Sequence, residues 1–286
     1  MTAAHPHSRA ALRRLRASRA FVLDLDGTLV LGDNSNHGQT PLPGALEFTR
    51  ALSERDVPFV LFTNGTARTP QEYLERLRTI GFALSDGAVM TPATSAAHYF
   101  QRRGYRRILL LGGEGLATPL RNAGLEIIAP IGEPQTDAIL VGWFREFTMP
   151  ALEAACHAAW NGAEVFSCSQ SLYFATAQGK ALGTSRAISA MIRDLTGARI
   201  HIIGKPAFEA LRCAARYLSV PTEELTVVGD DFTLEIPMAR SGDSLAVAVR
   251  TGLGANESFA KLPPKQRPHL VVRDVRELLS LYKGRS

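Results

Sequence analysis

Cysteine is scarce in this chain: Cys156, Cys168 and Cys213 are an odd three among 286 residues. Their spacing matches neither a disulfide framework nor a zinc site, which excludes a cystine-stapled secreted module and points to a reducing, cytoplasmic setting. No apolar run reaches the roughly 18 residues of a membrane-spanning helix, so no span is expected. Acidic residues are missing before Asp24, whereas Arg9, Arg13, Arg14, Arg16 and Arg19 all precede it. The formal net charge is +5, yet without those five arginines 27 basic residues face 27 acidic ones. The basic excess is therefore local, and no nucleic-acid partner is expected. This start reads as a solvated basic helix or arm. Its Arg- and Ala-rich composition resembles an organelle transit peptide, but it leads almost at once into an apolar strand, with no secretory hydrophobic stretch before it.

What the chain does have is ordinary globular material, with a hydrophobic fraction of 45% and enough length for two compact units. The segment FVLDLDGTLV, Phe21 to Val30, runs a buried-type strand into two aspartates separated by one residue. Asp24 at the strand end suits a nucleophile, Asp26 a proton donor to a leaving group, and Gly27 and Thr28 a sharp, hydrogen-bonded turn. Three more apolar strands end the same way. VPFVLF ends in Thr63-Asn64-Gly65, His201 to Ile203 in Gly204-Lys205-Pro206, and Leu225 to Gly229 in Asp230-Asp231, followed by Glu235. Taken singly, these are a cap or turn, a loop lysine and an acidic loop. Together they gather carboxylates, a cation and small hydrogen-bonding groups at the carboxyl ends of strands, where parallel α/β sheets bind ligands.

Between these signals, helix and strand patterns alternate without low-complexity linkers. Thr69 to Ile80 reads as a capped helix ended by Gly81. A second α/β unit follows from about Thr91 to Ile203, with strands at Arg106 to Gly112 and Thr136 to Gly142, and helices at Pro150 to Trp160 and Ser185 to Leu195. The apolar segments Ser244 to Arg250 and His269 to Val272 then extend the first unit. The Gly112-Gly113-Glu114-Gly115 sequence lacks the lysine of a P-loop and the spacing of a dinucleotide fingerprint, so it reads as a tight strand-to-helix turn.

The DxDGT, TN, GKP and GDD series, in this order, resembles the haloacid dehalogenase-like phosphohydrolase superfamily. The long insertion between TN and GKP, with VGWF (Val141 to Phe144) and NGAEVFS (Asn161 to Ser167), is similar to the branch with a large α/β cap. That branch includes nitrophenylphosphatase-like enzymes, nucleotide monophosphatases and pyridoxal phosphate phosphatases. The resemblance covers nearly the whole chain from Phe21. It implies an α/β fold: a Rossmann-like parallel-sheet core, residues 1–90 and 204–286, with an inserted α/β cap domain, residues 91–203. It implies Asp24 as the nucleophile that forms an aspartyl-phosphate, and Asp26 as general acid and then base. Thr63, Asn64 and Gly65 become the phosphate-binding motif, and Lys205 the cation that neutralises phosphate and nucleophile. Mg²⁺ is implied as cofactor, with Asp230, the Asp24 carboxylate and the Asp26 backbone carbonyl as ligands.

Some positions depart from the family. The usual further aspartate after GD is represented by Glu235, with Asp231 a closer acid, and the sequence leaves open which supports the metal. The 33–42 loop, which contains His37, is longer than usual for this branch and reads as a tolerated surface insertion. In the cap, an Asn-x-Asp-like phrase is replaced by Ser169-Gln170-Ser171, then Leu172-Tyr173-Phe174. Gln170 and Tyr173 are candidate leaving-group contacts, with loop polarity and core packing the competing reading. Trp143 and Phe144 read first as cap packing and second as an apolar wall against a ring. The expected activity is that of a Mg²⁺-dependent phosphatase acting on small phosphorylated metabolites, without membrane attachment and with homo-oligomerisation through the cap. The alternatives are a phosphotransferase and a phosphometabolite-binding regulator with little turnover.

Overall fold

The segment Ala20–Leu23 alternates its side chains between two buried faces: Phe21 and Leu23 enter one apolar cluster, Ala20 and Val22 another. A strand buried on both faces must lie inside a sheet covered by helices on each side, and this one does. The structure, a computed structural model, describes residues 8–32, 39–176, 179–256, 259 and 262–284. His37 and most of the 33–42 loop lie outside the described residues.

The chain first lays down α1 (Arg9–Arg16), β1 (Ala20–Leu23), a short hairpin of β2 (Val30–Gly32) and β3 (Gln39–Pro41), then α2 (Ala45–Ser53), β4 (Phe59–Phe62), α3 (Pro70–Thr79) and β5 (Val89–Met90). It then builds a second unit from α4 (Pro92–Arg103), β6 (Arg107–Leu111), α5 (Glu114–Asn122), β7 (Glu126–Ile128), β8 (Ala138–Val141), α6 (Met149–Trp160), β9 (Glu164–Ser167), a hairpin of β10 (Tyr173–Thr176) and β11 (Gly179–Leu182), α7 (Thr184–Thr196) and β12 (Ile200–Ile202). It returns through α8 (Phe208–Tyr217), β13 (Leu225–Gly229), α9 (Glu235–Ser241), β14 (Leu245–Val249), β15 (Leu270–Val272) and α10 (Val275–Tyr282).

Two parallel sheets result. The six-stranded sheet has the order β15-β14-β13-β1-β4-β5, and the five-stranded one β12-β9-β8-β6-β7. The first takes strands from both ends of the chain and the second only from its middle, so one α/β unit is inserted in the other. Each sheet carries an apolar cluster on both faces. Beneath β1, Phe21 meets the rings of Phe48 and Tyr282 edge-on at 5.5 and 5.4 Å. Burying a side chain of this size contributes about 1.5–3 kcal/mol. Among the described residues, no helix is long and apolar enough to cross a membrane.

Helix α3 starts as its sequence demands. Thr69 accepts from the Glu72 amide while the Glu72 carboxylate accepts from the Thr69 amide, a reciprocal cap ahead of Pro70. The basic start differs from a free arm. Helix α1 buries Ala11 and Leu15 in the core cluster, and Arg16 and Arg14 donate to the carbonyls of Leu281 and Asp243. An alternation too short to register in the sequence, two apolar residues one turn apart, docks it.

Candidate active site

Strands β1 and β13 are neighbours in register, so Asp24 and Asp230 leave the same sheet edge side by side. Thr28 sits between them, donating to Asp24 Oδ2 at 2.9 Å and lying 3.4 Å from Asp230 Oδ1. Gly27 lets the turn approach this closely: its φ is +86°, and a Cβ there would overlap the Asp230 carboxylate. Asp230 Oδ2 accepts from the Leu253 amide at 2.7 Å, and Thr251 donates to the Gly27 carbonyl at 2.5 Å. Thr251 and Leu253 were not singled out in the sequence. They follow β14 at the same edge, so the rule that found the other strand ends applies to them too.

Lys205 is buried to 2% exposure at the centre of the cluster. Its Nζ lies 2.5 Å from Asp24 Oδ1 and 2.6 Å from Glu235 Oε1, and donates to the Phe62 carbonyl at 2.8 Å. Burial alone would lower the lysine's pKa; Asp24 and Glu235 outweigh it and hold the ammonium charged. The ammonium touches two buried carboxylates, Asp24 and Glu235, and a third, Asp230, is buried beside Asp24. Burial and the neighbouring negative charges push Asp230 well above the usual carboxylate range, and Glu235 rises for the same causes despite Lys205 beside it. Such an excess of buried negative charge must keep a proton or take up a cation.

The donor set fits Mg²⁺. Among the described residues, no three acidic, His or Cys side chains form a closed metal cage. A closed cage is not what this ion asks for, since it keeps several waters and takes one or two carboxylates together with substrate phosphate. Asp24 and Asp230 are those adjacent carboxylates. Both acids between which the sequence leaves the choice open already have partners. Glu235 faces Lys205 and accepts from the Asp231 amide at 3.2 Å, while Asp231 accepts from the amide and hydroxyl of Thr233 at 2.8 and 2.6 Å.

Asp26 points into the cleft, open to solvent. Protein packed around the cleft still leaves its ionised form poorly hydrated. This desolvation and the Asp24 charge raise its pKa to about 6, against the pull of the Thr63 hydrogen bond and Lys205. Thr63 donates to Asp26 Oδ2 at 3.1 Å and accepts from the Gly65 amide at 2.9 Å. Gly65 is required, because a Cβ there would overlap the Tyr73 hydroxyl.

Asn64 uses its side chain differently from the sequence expectation of a phosphate contact. Its amide donates to the Lys205 carbonyl and accepts from the Lys205 amide, each at 2.9 Å. The loop after β4 thereby grips the backbone that carries the buried cation. Asn64→Ala is expected to lower kcat by roughly 10- to 100-fold by misplacing the cation. Steady-state kinetics at saturating substrate checks this, and an unchanged kcat would contradict it.

The inserted unit reaches the same edge. Thr66 accepts from the Trp143 amide at 2.9 Å, and a Cβ on Gly204 would overlap the Cys168 carbonyl. The Gly112–Gly115 sequence is a strand-to-helix turn, as expected, joining β6 to α5. Gly115 has a role that its sequence did not disclose: a Cβ there would overlap the Thr66 carbonyl and the Arg68 amide. Overpacking of this kind costs about 1–3 kcal/mol. Gly115→Ala is therefore expected to lower kcat/KM by roughly 5- to 100-fold, while thermal stability changes little because the units separate to relieve the strain. A melting curve beside the kinetics tests this. Phe144 packs in the cap cluster and stacks edge-on with Phe147 at 6.4 Å, so it is cap packing. Gln170 bonds locally, to the Ser169 carbonyl, and its own carbonyl accepts from Arg186 at 2.9 Å. The Tyr173 side chain lies outside the described residues.

A nucleophile-type carboxylate, a buried cation and a second acid thus converge on one cleft edge. Two family models match this chain, haloacid dehalogenase-like hydrolase over residues 21–126 and HAD-hydrolase-like over residues 202–278. The chain belongs to the haloacid dehalogenase-like hydrolases. Its sequence is 26% identical over 244 residues to the 5'-nucleotidase YutF of Bacillus subtilis, covering 85% of this chain and 91% of that one. It is 27% identical over 253 residues to an acid sugar phosphatase of Staphylococcus aureus, covering 87% and 94%. The fold superposes on the 4-nitrophenylphosphatase of Thermotoga maritima with a TM-score of 0.83 at 27% identity, covering 96% of this chain and 99% of that one. The Rossmann-like core with an inserted α/β cap, expected from the motifs, is the fold this hydrolase has.

Proposed function

We propose that this protein is a Mg²⁺-dependent phosphatase that hydrolyses small phosphomonoesters through an aspartyl-phosphate at Asp24. The observation that carries this reading is the contact of Lys205 with Asp24 inside a cluster of three buried carboxylates. The phosphatase names of its relatives support the reaction class, and their differing substrates leave this chain's leaving group to experiment. Residues 91–203 act as the cap and residues 1–90 and 204–286 as the catalytic core. The buried, unpaired cysteines support a reducing, cytoplasmic setting.

In the first step the Asp24 carboxylate attacks phosphorus in line and the bond from phosphorus to the leaving oxygen breaks. Asp26 donates its proton to that oxygen, and its raised pKa suits the role. In the second step Asp26, now a carboxylate, takes a proton from the water that attacks the phosphoenzyme. Phosphate leaves and Asp24 is restored. Lys205 offsets the repulsion between carboxylate and phosphate, while Thr63 orients Asp26. Asp24, Asp230 and the Asp26 carbonyl would hold Mg²⁺, which supplies further charge neutralisation on the phosphoryl oxygens.

A panel of nucleotides, sugar phosphates, pyridoxal phosphate, glycerol phosphate and a nitrophenyl ester, assayed with Mg²⁺ and with EDTA, tests the reading. Metal-dependent phosphate release is expected. Tight ligand binding with no release from folded, Mg²⁺-loaded protein would contradict it.

A further inference from the structure

We propose that the cavity at the amino edge of the core sheet is a second anion site, taking a phosphate-bearing metabolite between Arg14 and Arg240. The cavity measures about 810 Å³, within the range of about 300–1,000 Å³ typical of metabolite sites. Arg14 comes from α1 and Arg240 from α9, while Gln266, His269, Ser241 and Asp243 add polar groups. Among the described lining residues Pro237 is the one without a polar side chain, so charge and hydrogen bonds are available to recognise an occupant.

Two features set these arginines apart from solvated surface charge. Arg14 is held in place by a neutral group, its Nη2 donating to the Asp243 carbonyl at 2.6 Å, and Arg240 Nη1 lies against the His269 ring at Nε2. Neither forms an ion pair with a carboxylate among the described residues, although Asp243 lines the same cavity. Two guanidinium forks against the one Asp243 carboxyl leave a net positive charge that suits the oxygens of a phosphate dianion. His269 agrees with this. Partial burial, then Arg240 and Arg14, push its pKa down to about 4, so the ring stays neutral and both charges remain available to a ligand. The other His269 nitrogen is fixed by the Ala246 amide at 2.9 Å.

The site is separate from the catalytic edge. Ala246 and His269 stand near the starts of β14 and β15, whereas Thr251 and Leu253 follow the end of β14 beside Asp230. The length of β14, roughly 16 Å at about 3.3 Å per residue, lies between them. The docking of α1 gains a purpose here, since Leu15 buries the helix and Arg14, one residue before it, faces the cavity.

Equilibrium dialysis with radiolabelled inorganic phosphate, at physiological ionic strength with Mg²⁺, counts the sites. Relative to wild type, Arg14→Gln/Arg240→Gln is expected to lose one bound phosphate, its affinity weakened at least tenfold, with an unchanged circular dichroism spectrum. Arg9→Gln/Arg13→Gln removes the same charge from α1 away from the cavity and is expected to bind as wild type does. Should the double cavity variant unfold, Arg240→Gln alone, which leaves the α1 contacts in place, is read the same way. Equal stoichiometry and affinity in wild type and the cavity variant, or equal loss in Arg9→Gln/Arg13→Gln, would overturn the proposal.

Discussion

An Asp24→Asn variant is expected to fold and to lose turnover by roughly 10⁴-fold or more, the scale on which removal of a catalytic nucleophile acts. Asparagine keeps the shape of the side chain. Its carbonyl oxygen still accepts from Lys205, and the Thr28 hydroxyl rotates to accept from the new amide, so the contacts around Asp24 survive. What disappears is the electron pair that attacks phosphorus. The substitution also removes one of three buried negative charges, the one that raises both Asp230 and Glu235. Without metal, the melting temperature of the variant should therefore equal or exceed that of wild type. Lost activity with preserved or improved stability separates a chemical role from a structural one. Retained steady-state activity would refute the nucleophile assignment.

The second large effect is expected at Lys205, where stability and chemistry fall together. Lys205→Met fills similar volume but leaves Asp24 and Glu235 buried beside an apolar chain and frees the Phe62 carbonyl. Breaking a buried ion pair by removing one partner costs about 3–5 kcal/mol. Loss of one preorganised electrostatic donor costs about 10²- to 10³-fold in kcat. Denaturant unfolding should show the stability loss, and Mg²⁺ should recover part of it by taking over some of the neutralisation. Pairing the change with Glu235→Gln should recover part of the stability without restoring kcat, because it removes one of the two orphaned charges but does not replace the missing cation. A variant as stable as wild type would mean that the carboxylates are solvated or protonated and that the cluster is not held together by charge.

The site was legible to the extent that it follows from strand ends. Asp24, Thr63 and Asp230 each stand just beyond an apolar strand of the six-stranded sheet, and a parallel sheet brings such ends to one edge whatever the loops do, whereas Lys205 follows β12 of the other sheet and reaches Asp24 from the inserted unit's side. What escaped depends on contacts across the fold. Glu235 shares its motif with Asp230, but only its placement beside Lys205 shows which ion it faces. Asn64 sits in a phosphate-binding phrase, yet its side chain bonds a backbone 141 positions away. Gly115 lies in a turn that reads as local chemistry, and its constraint comes from the Thr66–Arg68 loop of the other unit. The β10–β11 hairpin escaped because its segment lacks the Asn-Gly or Asp-Gly signal of a tight turn.

The central claim, a covalent phosphoryl group on Asp24 resolved with help from Asp26, is tested most directly by rapid-quench kinetics of Asp26→Asn with 4-nitrophenyl phosphate and Mg²⁺. Nitrophenolate departs without an acid, so the first step survives the substitution while the second loses its base. The account predicts a burst of one nitrophenolate per active site without matching phosphate release, and a phosphoryl group recovered on the Asp24 peptide. Equal amounts of nitrophenolate and phosphate from the first turnover onward would contradict it.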